Sequence, residues 1–230
     1  MKRLYYWIKE LLFPRRCMLC RRFLREQELD LCHQCRLDAP EYPFGASNPA
    51  KQGKISDQFL DSFTAVWYYE GDVRESILRF KFRRATHLAP KFGALLAMKL
   101  LQQGPRPGEI DVLTWVPVSR RRRFRRGFDQ CELLARAVGK ELEIVPQRVL
   151  RKRRHTRAQS SMESVSARKA NILGAYEVDK HTDLRGKRVL LLDDICTTGS
   201  TMNECARVLL HAGAKEVHTA AIAAVRYHKK

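Results

Sequence analysis

A chain of 230 residues has room for one ordinary domain and a small accessory module. Its 44 Lys and Arg residues against 25 Asp and Glu residues give a net charge of +19, which favours polyanionic partners, either nucleic acid or phosphorylated small molecules, over a merely solvated basic surface. No apolar run approaches the ~18–20 residues needed to span a bilayer, so we expect a cytoplasmic protein without stable membrane insertion.

Two Cys-x-x-Cys pairs lie near the start of the chain, Cys17 with Cys20 and Cys32 with Cys35. Each pair offers two thiolates to one tetrahedral ion, so the spacing predicts a four-cysteine structural zinc ribbon or finger. The metal would replace the hydrophobic core that ~40 residues cannot supply. Disulfides or a redox dithiol are the alternatives, and contact between the nearby arginines and phosphate stays open. We expect this module over residues 1–44, a linker over 45–58 and the main domain over 59–230.

Strand and helix patterns follow along the main domain. We predict strands over residues 62–69, 111–118 and 216–225, which are rich in apolar, β-branched and aromatic side chains. Apolar residues at helical spacing predict helices around Val73–Phe80 and Leu88–Leu96, the second closed by Gly104. A further helix is expected to begin at Asp129.

An arginine-rich segment follows the second predicted strand. Six of the seven residues 120–126 are Arg, so the segment cannot be a buried element and we expect a basic loop. A loop that is merely solvated is the alternative to a functional one. Guanidinium groups pair with phosphate oxygens in bidentate geometry, which favours a pyrophosphate clamp here. Phe124 and Phe128 lie between cations and could also stack on bases.

A second basic run over residues 148–157 is hydrophilic enough to predict a mobile flap. Together the two runs supply the candidates for nucleic-acid binding: Arg120, Arg121, Arg122, Arg123, Arg125, Arg126, Phe128, Arg151, Arg153 and Arg154.

The most informative stretch covers residues 189–201. A buried strand is predicted to end in Asp193 and Asp194, and a hydroxyl-rich loop then leads into a helix with Ser200 or Thr201 as its N-cap. Backbone N–H groups and hydroxyls at the positive end of a helix suit a phosphate. The adjacent carboxylates suit sugar hydroxyls or Mg²⁺. The stretch therefore predicts a site for a ribose phosphate.

This stretch resembles the signature with which type I phosphoribosyltransferases bind 5-phosphoribosyl 1-diphosphate (PRPP). The order of motifs along nearly the full chain resembles the ComF (competence protein F-like) family. The matching motifs are the Cys-x-x-Cys pairs, Ile77–Phe82, Val116–Ser119, Arg126–Gln130, His155–Gln159, Arg168 with Asn171, and the acidic-pair loop. Asp129 stands where the family usually has Asn.

The resemblance implies an α/β fold in which helices flank a central, mostly parallel sheet, with PRPP and Mg²⁺ at the strand ends. Asp193 and Asp194 would hold the ribose hydroxyls, Thr197–Thr201 the ribose phosphate, and Ser119 with Arg120 the pyrophosphate. The complete set of implied PRPP-binding residues is Asp193, Asp194, Ile195, Cys196, Thr197, Thr198, Gly199, Ser200, Thr201, Ser119 and Arg120.

The resemblance also implies a link to natural competence, the uptake of single-stranded DNA. Our hypothesis is a PRPP-binding, phosphoribosyltransferase-like protein that binds single-stranded DNA through its basic loops, with other DNA-uptake proteins as further partners. Two alternatives stay open. One is an active transferase for an unknown nucleobase-like acceptor, and the other is a DNA-binding protein with a vestigial PRPP site. The sequence assigns no catalytic residue.

Overall fold

The computed structural model describes residues 14–43, 59–153 and 172–226. Its strands are β1 (Ser62–Tyr68), β2 (Val112–Trp115), β3 (Leu150–Lys152), β4 (Tyr176–Val178), β5 (Arg188–Cys196) and β6 (Glu216–Ala224). Four of them form a parallel sheet in the order β1–β6–β5–β2, and β3 pairs with β4 in a small antiparallel sheet.

One helix precedes β1, and the other described helices lie in connections between strands. The helices are α1 (His33–Asp38), α2 (Gly71–Phe82), α3 (Leu88–Gln103), α4 (Arg120–Arg126), α5 (Gln130–Glu141) and α6 (Ser200–His211), with a 3₁₀ turn at Pro107–Glu109. Within the described ranges, none of these helices combines the length and hydropathy that a membrane span requires.

The two faces of the central strand β5 pack against different helices. Leu190 and Leu192 lie in one core cluster with side chains of α2, α3 and α5. Val189 and Leu191 lie in a second cluster with side chains of α6. Because successive residues of a strand face opposite sides, this division means that helices cover both faces. The predicted α/β fold with a parallel sheet flanked by helices is confirmed.

The arginine-rich segment is a helix, and the prediction of a loop was wrong. Ser119 is the N-cap of α4, and its hydroxyl accepts a hydrogen bond from the Arg122 N–H. Gly127 follows with a φ of +83°, a left-handed conformation that glycine adopts without strain and that ends the helix. Arginine has a high helix propensity, so a capped run of arginines forms an exposed helix.

Two other boundaries differ from the sequence-based expectation. The strand expected over residues 111–118 ends at Trp115, ahead of Pro117, which has no N–H to donate to a sheet. The N-cap of α6 is Gly199, not Ser200 or Thr201. The expected helix start at Asp129 is confirmed, since this side chain accepts hydrogen bonds from the N–H groups of Cys131 and Glu132.

Helix α5 packs closely on α3 and is also tied to the end of β2. A Cβ atom added to Gly93 in α3 would lie 2.3 Å from the Cβ atom of Ala137 in α5. The N-cap residue Asp129 also accepts a hydrogen bond from the backbone N–H of Val118. These contacts fix the first turn of α5, with Gln130 and Cys131, beside the carboxyl ends of β2 and β5.

The N-terminal cysteine-rich module packs on α2. Arg79 donates hydrogen bonds to the carbonyl oxygens of Met18 and Leu19, at 2.7 and 2.8 Å. Ser76 donates a further hydrogen bond to the Met18 carbonyl. Met18 and Leu19 are buried and belong to the same core cluster as Val73 of α2. The module therefore shares its core with the main domain.

Candidate functional site

A cavity of about 520 Å³ opens at the carboxyl edge of the parallel sheet. The pairing of β2 with β5 ends at Trp115 and Leu192, so the segment after β2 and the carboxylates after Leu192 meet at this edge. Side chains of α2, α4, α5, β4 and the loop after β5 complete the lining. Open parallel sheets place their ligands at such an edge.

Asp193 and Asp194 converge on this cavity. Consecutive residues of a regular strand point to opposite faces, yet both side chains line the cavity. One carboxylate oxygen of each lies within 4.8 Å of the other and of the Cys131 sulfur. The Asp194 N–H donates to Oδ1 of Asp193 at 2.8 Å, and the Cys131 thiol donates to the same oxygen at 3.3 Å. The two carboxylates therefore form one cluster of acceptors.

Asp194 is buried and carries its own countercharge. Its Oδ1 atom lies 2.9 Å from Nζ of Lys81, and its Oδ2 atom accepts a hydrogen bond from Nε2 of Gln130 at 2.9 Å. Burial is the largest single influence and would lower the pKa of Lys81, but the charge and hydrogen bond of Asp194 together with the charge of Asp193 outweigh it, and the pKa is raised. Lys81 is therefore a fixed cation next to the acidic pair.

Asp193 and Cys131 hold their protons more strongly than usual. Burial raises the pKa of Asp193 to about 7, and repulsion from Asp194 acts in the same direction. Burial and both aspartates raise the pKa of the Cys131 thiol well above its ordinary value. Cys131 is thus a neutral hydrogen-bond donor, whereas Asp193 titrates near neutral pH.

The loop after the acidic pair exposes hydroxyls and backbone donors to the cavity. Thr197 and Thr201 line it, and the buried hydroxyls of Thr198 and Ser200 are hydrogen-bonded to each other at 2.8 Å. Gly199 has a φ of +73° and offers no side chain to cap α6. The Ser200 N–H donates to the Thr198 hydroxyl at 3.4 Å. The N-cap residue itself supplies no side-chain acceptor to the first turn of α6, which suits the binding of an anion there. Cys196 is buried behind the loop, and Ile195 lines the cavity.

The predicted arginines divide between the cavity and the outer surface. Arg122, Arg125 and Arg126 line the cavity, whereas Ser119 and Arg120 are not among the residues that line it. Ser119 is buried as the cap of α4, and Arg120 is exposed.

The other arginine-rich candidates have varied surroundings. Arg121 and Arg123 are exposed, and the ring of Phe128 is half-buried, 6.3 Å between centroids from Phe80. Arg151 and Arg153 form ion pairs with Asp179 and Glu177. Arg154 lies outside the residues that the structure describes, as do residues 155–157 of the predicted flap, whereas Leu150–Lys152 of that run form β3.

Comparisons with known proteins agree with this geometry. Residues 129–230 match the family model described as "Phosphoribosyl transferase domain". The DNA utilization protein YhgH of Escherichia coli (strain K12) is 30% identical over 207 residues, which cover 87% of this chain and 86% of the relative. Competence protein F of Haemophilus influenzae is 25% identical over 223 residues, which cover 89% of this chain and 95% of the relative. The chain belongs to the ComF family of phosphoribosyltransferase-like proteins. The competence protein ComFC of Bacillus subtilis is 26% identical over 201 residues, which cover 86% of this chain and 78% of the relative.

A second cluster in this ComF-family chain consists of the four N-terminal cysteines. The sulfur atoms of Cys17, Cys20, Cys32 and Cys35 all lie within 4.8 Å of one another, and all four thiols are free of disulfide bonds. Tetrahedral zinc with Zn–S bonds of about 2.3 Å separates its sulfur ligands by about 3.8 Å. The spacing between the cysteines thus fits a single tetrahedral ion better than two separate disulfides, because all four sulfur atoms converge on one point.

Three residues of the site were not predicted as functional from the sequence. Lys81, Gln130 and Cys131 contact the acidic pair from α2 and α5. Lys81 and Gln130 lie within the motifs Ile77–Phe82 and Arg126–Gln130 that carried the family resemblance. Those motifs were therefore the available signal, but nothing in the sequence indicated that both side chains reach Asp194.

Proposed function

We propose that this ComF-family protein binds PRPP in the cavity and acts in the uptake or handling of single-stranded DNA. The observation that carries the proposal is the meeting of two chemically different surfaces in one cavity. The convergent carboxylates of Asp193 and Asp194 accept hydrogen bonds, and the loop over residues 197–201 donates them. A sugar that bears both free hydroxyls and a phosphate matches both surfaces.

The ribose hydroxyls would donate to the acidic pair. Gln130 adds a further acceptor, since its Oε1 atom is buried and has no hydrogen-bond partner among the residues that the structure describes. Buried polar atoms are nearly always hydrogen-bonded in folded proteins, so an unpartnered acceptor beside two carboxylates supports a ligand with hydroxyl donors. Lys81 offsets the charge of Asp194, which lets an anionic ligand approach the pair.

The 5-phosphate would bind the loop after β5. Asp193, Ile195, Thr197, Gly199 and Thr201 line a small hollow there, next to the main cavity. A phosphate in this position would accept hydrogen bonds from the first turn of α6 and from the threonine hydroxyls.

Two metals fit the donor sets of the chain. The four clustered cysteines would hold a structural zinc ion, which would keep the chain segment around Met18 and Leu19 in position against α2. Asp193 and Asp194 would hold a Mg²⁺ ion, which would supply neutralisation of the phosphate charge. Metal analysis of the purified protein should give one zinc per chain, which Cys20→Ser removes and Cys131→Ser retains.

The proposed DNA contact rests on charge and on the relatives. The net charge of +19 and the exposed Arg120 and Arg121 of α4 favour a polyanion. Neither of these two side chains forms an ion pair with the described residues, in contrast to Arg151 and Arg153. The names of relatives from Haemophilus influenzae and Escherichia coli refer to competence and DNA utilization, which supports a DNA-related role here.

Calorimetric titration tests the proposed ligand. We expect PRPP with Mg²⁺ to bind the wild-type protein with a stoichiometry of about one, because the acidic pair and the phosphate loop occur together at one cavity. Ribose 5-phosphate should bind more weakly, because it lacks the diphosphate. The double variant Asp193→Asn/Asp194→Asn should bind neither, while circular dichroism reports whether it keeps its fold. Wild-type protein that binds neither ligand would contradict the proposal.

A further inference from the structure

Two nitrogen atoms in the guanidinium group of Arg126 have no hydrogen-bond acceptor among the described residues. Its Nε and Nη1 atoms are buried and have no hydrogen-bond partner within the described part of the chain. Leaving charged donors unpaired in this way is costly, and such groups in native proteins call for a specific explanation. Burial lowers the pKa of Arg126, although the nearby charge of Asp194 acts in the opposite direction. The side chain is therefore held as a partly desolvated cation close to the acidic pair.

Packing keeps this cation in place. The guanidinium of Arg126 stacks over the ring of Phe82, 4.7 Å from its centroid, and Phe82 also lines the cavity. Cation–π stacking leaves the in-plane N–H donors of a guanidinium available for an anion. Arg122, one turn before Arg126, and Arg125 also line the cavity, so three arginines lie on the inner face of α4.

The position of Arg126 distinguishes it from the phosphate loop. Arg126 lines the main cavity but is not among the residues that line the small hollow beside Thr197 and Thr201. In PRPP, the 5-phosphate and the 1-diphosphate leave the ribose ring at opposite ends. With the ring hydroxyls on Asp193 and Asp194 and the 5-phosphate in the hollow, the diphosphate would extend away from the loop, towards α4.

We propose that Arg126 binds the diphosphate group of PRPP, and that α4 has an inner face for this ligand and an outer face for nucleic acid. The inference rests on the proposed function. It transfers the diphosphate contact from Ser119 and Arg120, which the family resemblance implied, to a residue at the other end of the same helix. It also removes Arg126 from the nucleic-acid candidates, because its guanidinium lies in the cavity. Arg121, which is exposed, represents the outer face.

Three ligands and two matched variants test this assignment. Arg126→Gln and Arg121→Gln each remove one positive charge from α4, on the inner and on the outer face. Calorimetry with PRPP, inorganic pyrophosphate and ribose 5-phosphate, each with Mg²⁺, measures which part of the ligand each side chain contacts. Fluorescence anisotropy with a labelled oligothymidylate measures DNA binding by the same proteins.

We expect Arg126→Gln to weaken the binding of PRPP and pyrophosphate by about 10-fold to 100-fold, the loss typical of a charge-assisted contact. Its affinity for ribose 5-phosphate should stay within about twofold of wild type, which also shows that the cavity has kept its structure. Arg121→Gln should weaken DNA binding and leave the affinity for pyrophosphate unchanged.

Two results separate the failure of this inference from the failure of the proposed function. If wild-type protein binds PRPP and Arg126→Gln binds it equally well, the assignment of Arg126 is wrong and the proposed function stands. If Arg126→Gln loses ribose 5-phosphate as strongly as pyrophosphate, Arg126 supports the cavity as a whole and the assignment is also wrong. Wild-type protein that binds none of the three ligands overturns both proposals.

Discussion

Nζ of Lys81 lies 2.9 Å from Oδ1 of Asp194, and this ion pair joins the end of α2 to the carboxyl edge of the sheet. Both side chains are largely shielded from water, with 17% and 6% of their surface exposed. Because α2 also holds the Met18 and Leu19 carbonyls through Arg79, the same helix contacts the cysteine module and the candidate site. We therefore expect the ion pair to contribute both to stability and to the proposed ligand site.

Removal of Lys81 should destabilise the protein strongly at neutral pH. Lys81→Met leaves the buried carboxylate of Asp194 without its cation and next to Asp193, which should lower the free energy of unfolding by about 3–5 kcal/mol. Urea denaturation followed by circular dichroism measures the change.

The matched control is Lys91→Met. Lys91 forms an ion pair with Asp30 in which the lysine side chain is 29% exposed and the aspartate side chain 45% exposed. Solvent screens such a pair, so we expect a loss of about 1 kcal/mol or less. Equal losses in the two variants would mean that the Lys81–Asp194 pair is not a special feature of the fold.

The affinity for ribose 5-phosphate should rise with pH through neutrality. An ionised carboxylate accepts hydrogen bonds from neighbouring ring hydroxyls more strongly than a protonated carboxyl group does, and the pKa of Asp193 is raised to about 7. The ionised fraction of such a group grows from about one tenth at pH 6 to about nine tenths at pH 8, so the affinity should rise by up to about tenfold. Titrations without Mg²⁺ keep metal binding out of the measurement.

Asp193→Asn is the control for this pH dependence, since the phosphate of the ligand also titrates near pH 6. The variant should retain only the dependence that comes from the phosphate. The same shift predicts that ligand-free wild-type protein loses stability as the pH rises from about 4 to about 7, because the folded state keeps a proton that the unfolded state releases. Identical pH profiles for wild type and Asp193→Asn would refute the role of Asp193.

A methyl group at position 93 should disturb the contact between α3 and α5. The Cβ atom of an alanine there would lie 2.3 Å from Cβ and 2.9 Å from the carbonyl carbon of Ala137. Overpacking of this kind costs about 1–3 kcal/mol, which exceeds the gain in helix propensity. We expect Gly93→Ala to lower the midpoint of thermal unfolding, measured by calorimetry.

Gly108→Ala provides the comparison for this substitution. No atom lies within 4 Å of a Cβ atom added to Gly108, and its backbone φ is not positive. The change in stability should stay within about 0.5 kcal/mol. A tolerated alanine at position 93 would show that α3 and α5 pack less closely than in this structure.

DNA binding should depend on salt and on the outer face of α4. Arg120→Gln/Arg121→Gln removes two exposed guanidinium groups, so the slope of log affinity against log salt concentration should become shallower by about 1.4, or about 0.7 per lost contact with single-stranded DNA. Fluorescence anisotropy between about 50 and 200 mM salt measures the slope.

The control variant Arg185→Gln/Lys187→Gln also removes two positive charges. Both side chains are exposed and lie just before the start of β5, at the end of the strand away from the cavity. This control should leave the slope unchanged. If the two double variants behave alike, DNA binding reflects the overall charge of the protein rather than contacts with α4.

The sequence predicted those parts of the site that are local in the chain. The strand, acidic pair and loop over residues 189–201 lie within one short segment, so their order alone indicated the chemistry. Lys81 and Gln130 reach Asp194 only after α2 and α5 have packed on the sheet, and no local pattern reports such a contact. The prediction of a loop over residues 120–126 failed because it considered composition alone. The capping side chain of Ser119 and the terminating Gly127 were both visible in the sequence and favoured a helix.

A crystal structure of the protein with PRPP and Mg²⁺ tests the central claim most directly. We predict ribose hydroxyls within hydrogen-bond distance of Asp193 and Asp194, the 5-phosphate against Thr197–Thr201, and the diphosphate directed towards Arg126. Electron density for PRPP elsewhere on the protein, or for a ligand whose phosphates avoid the loop, would contradict the account.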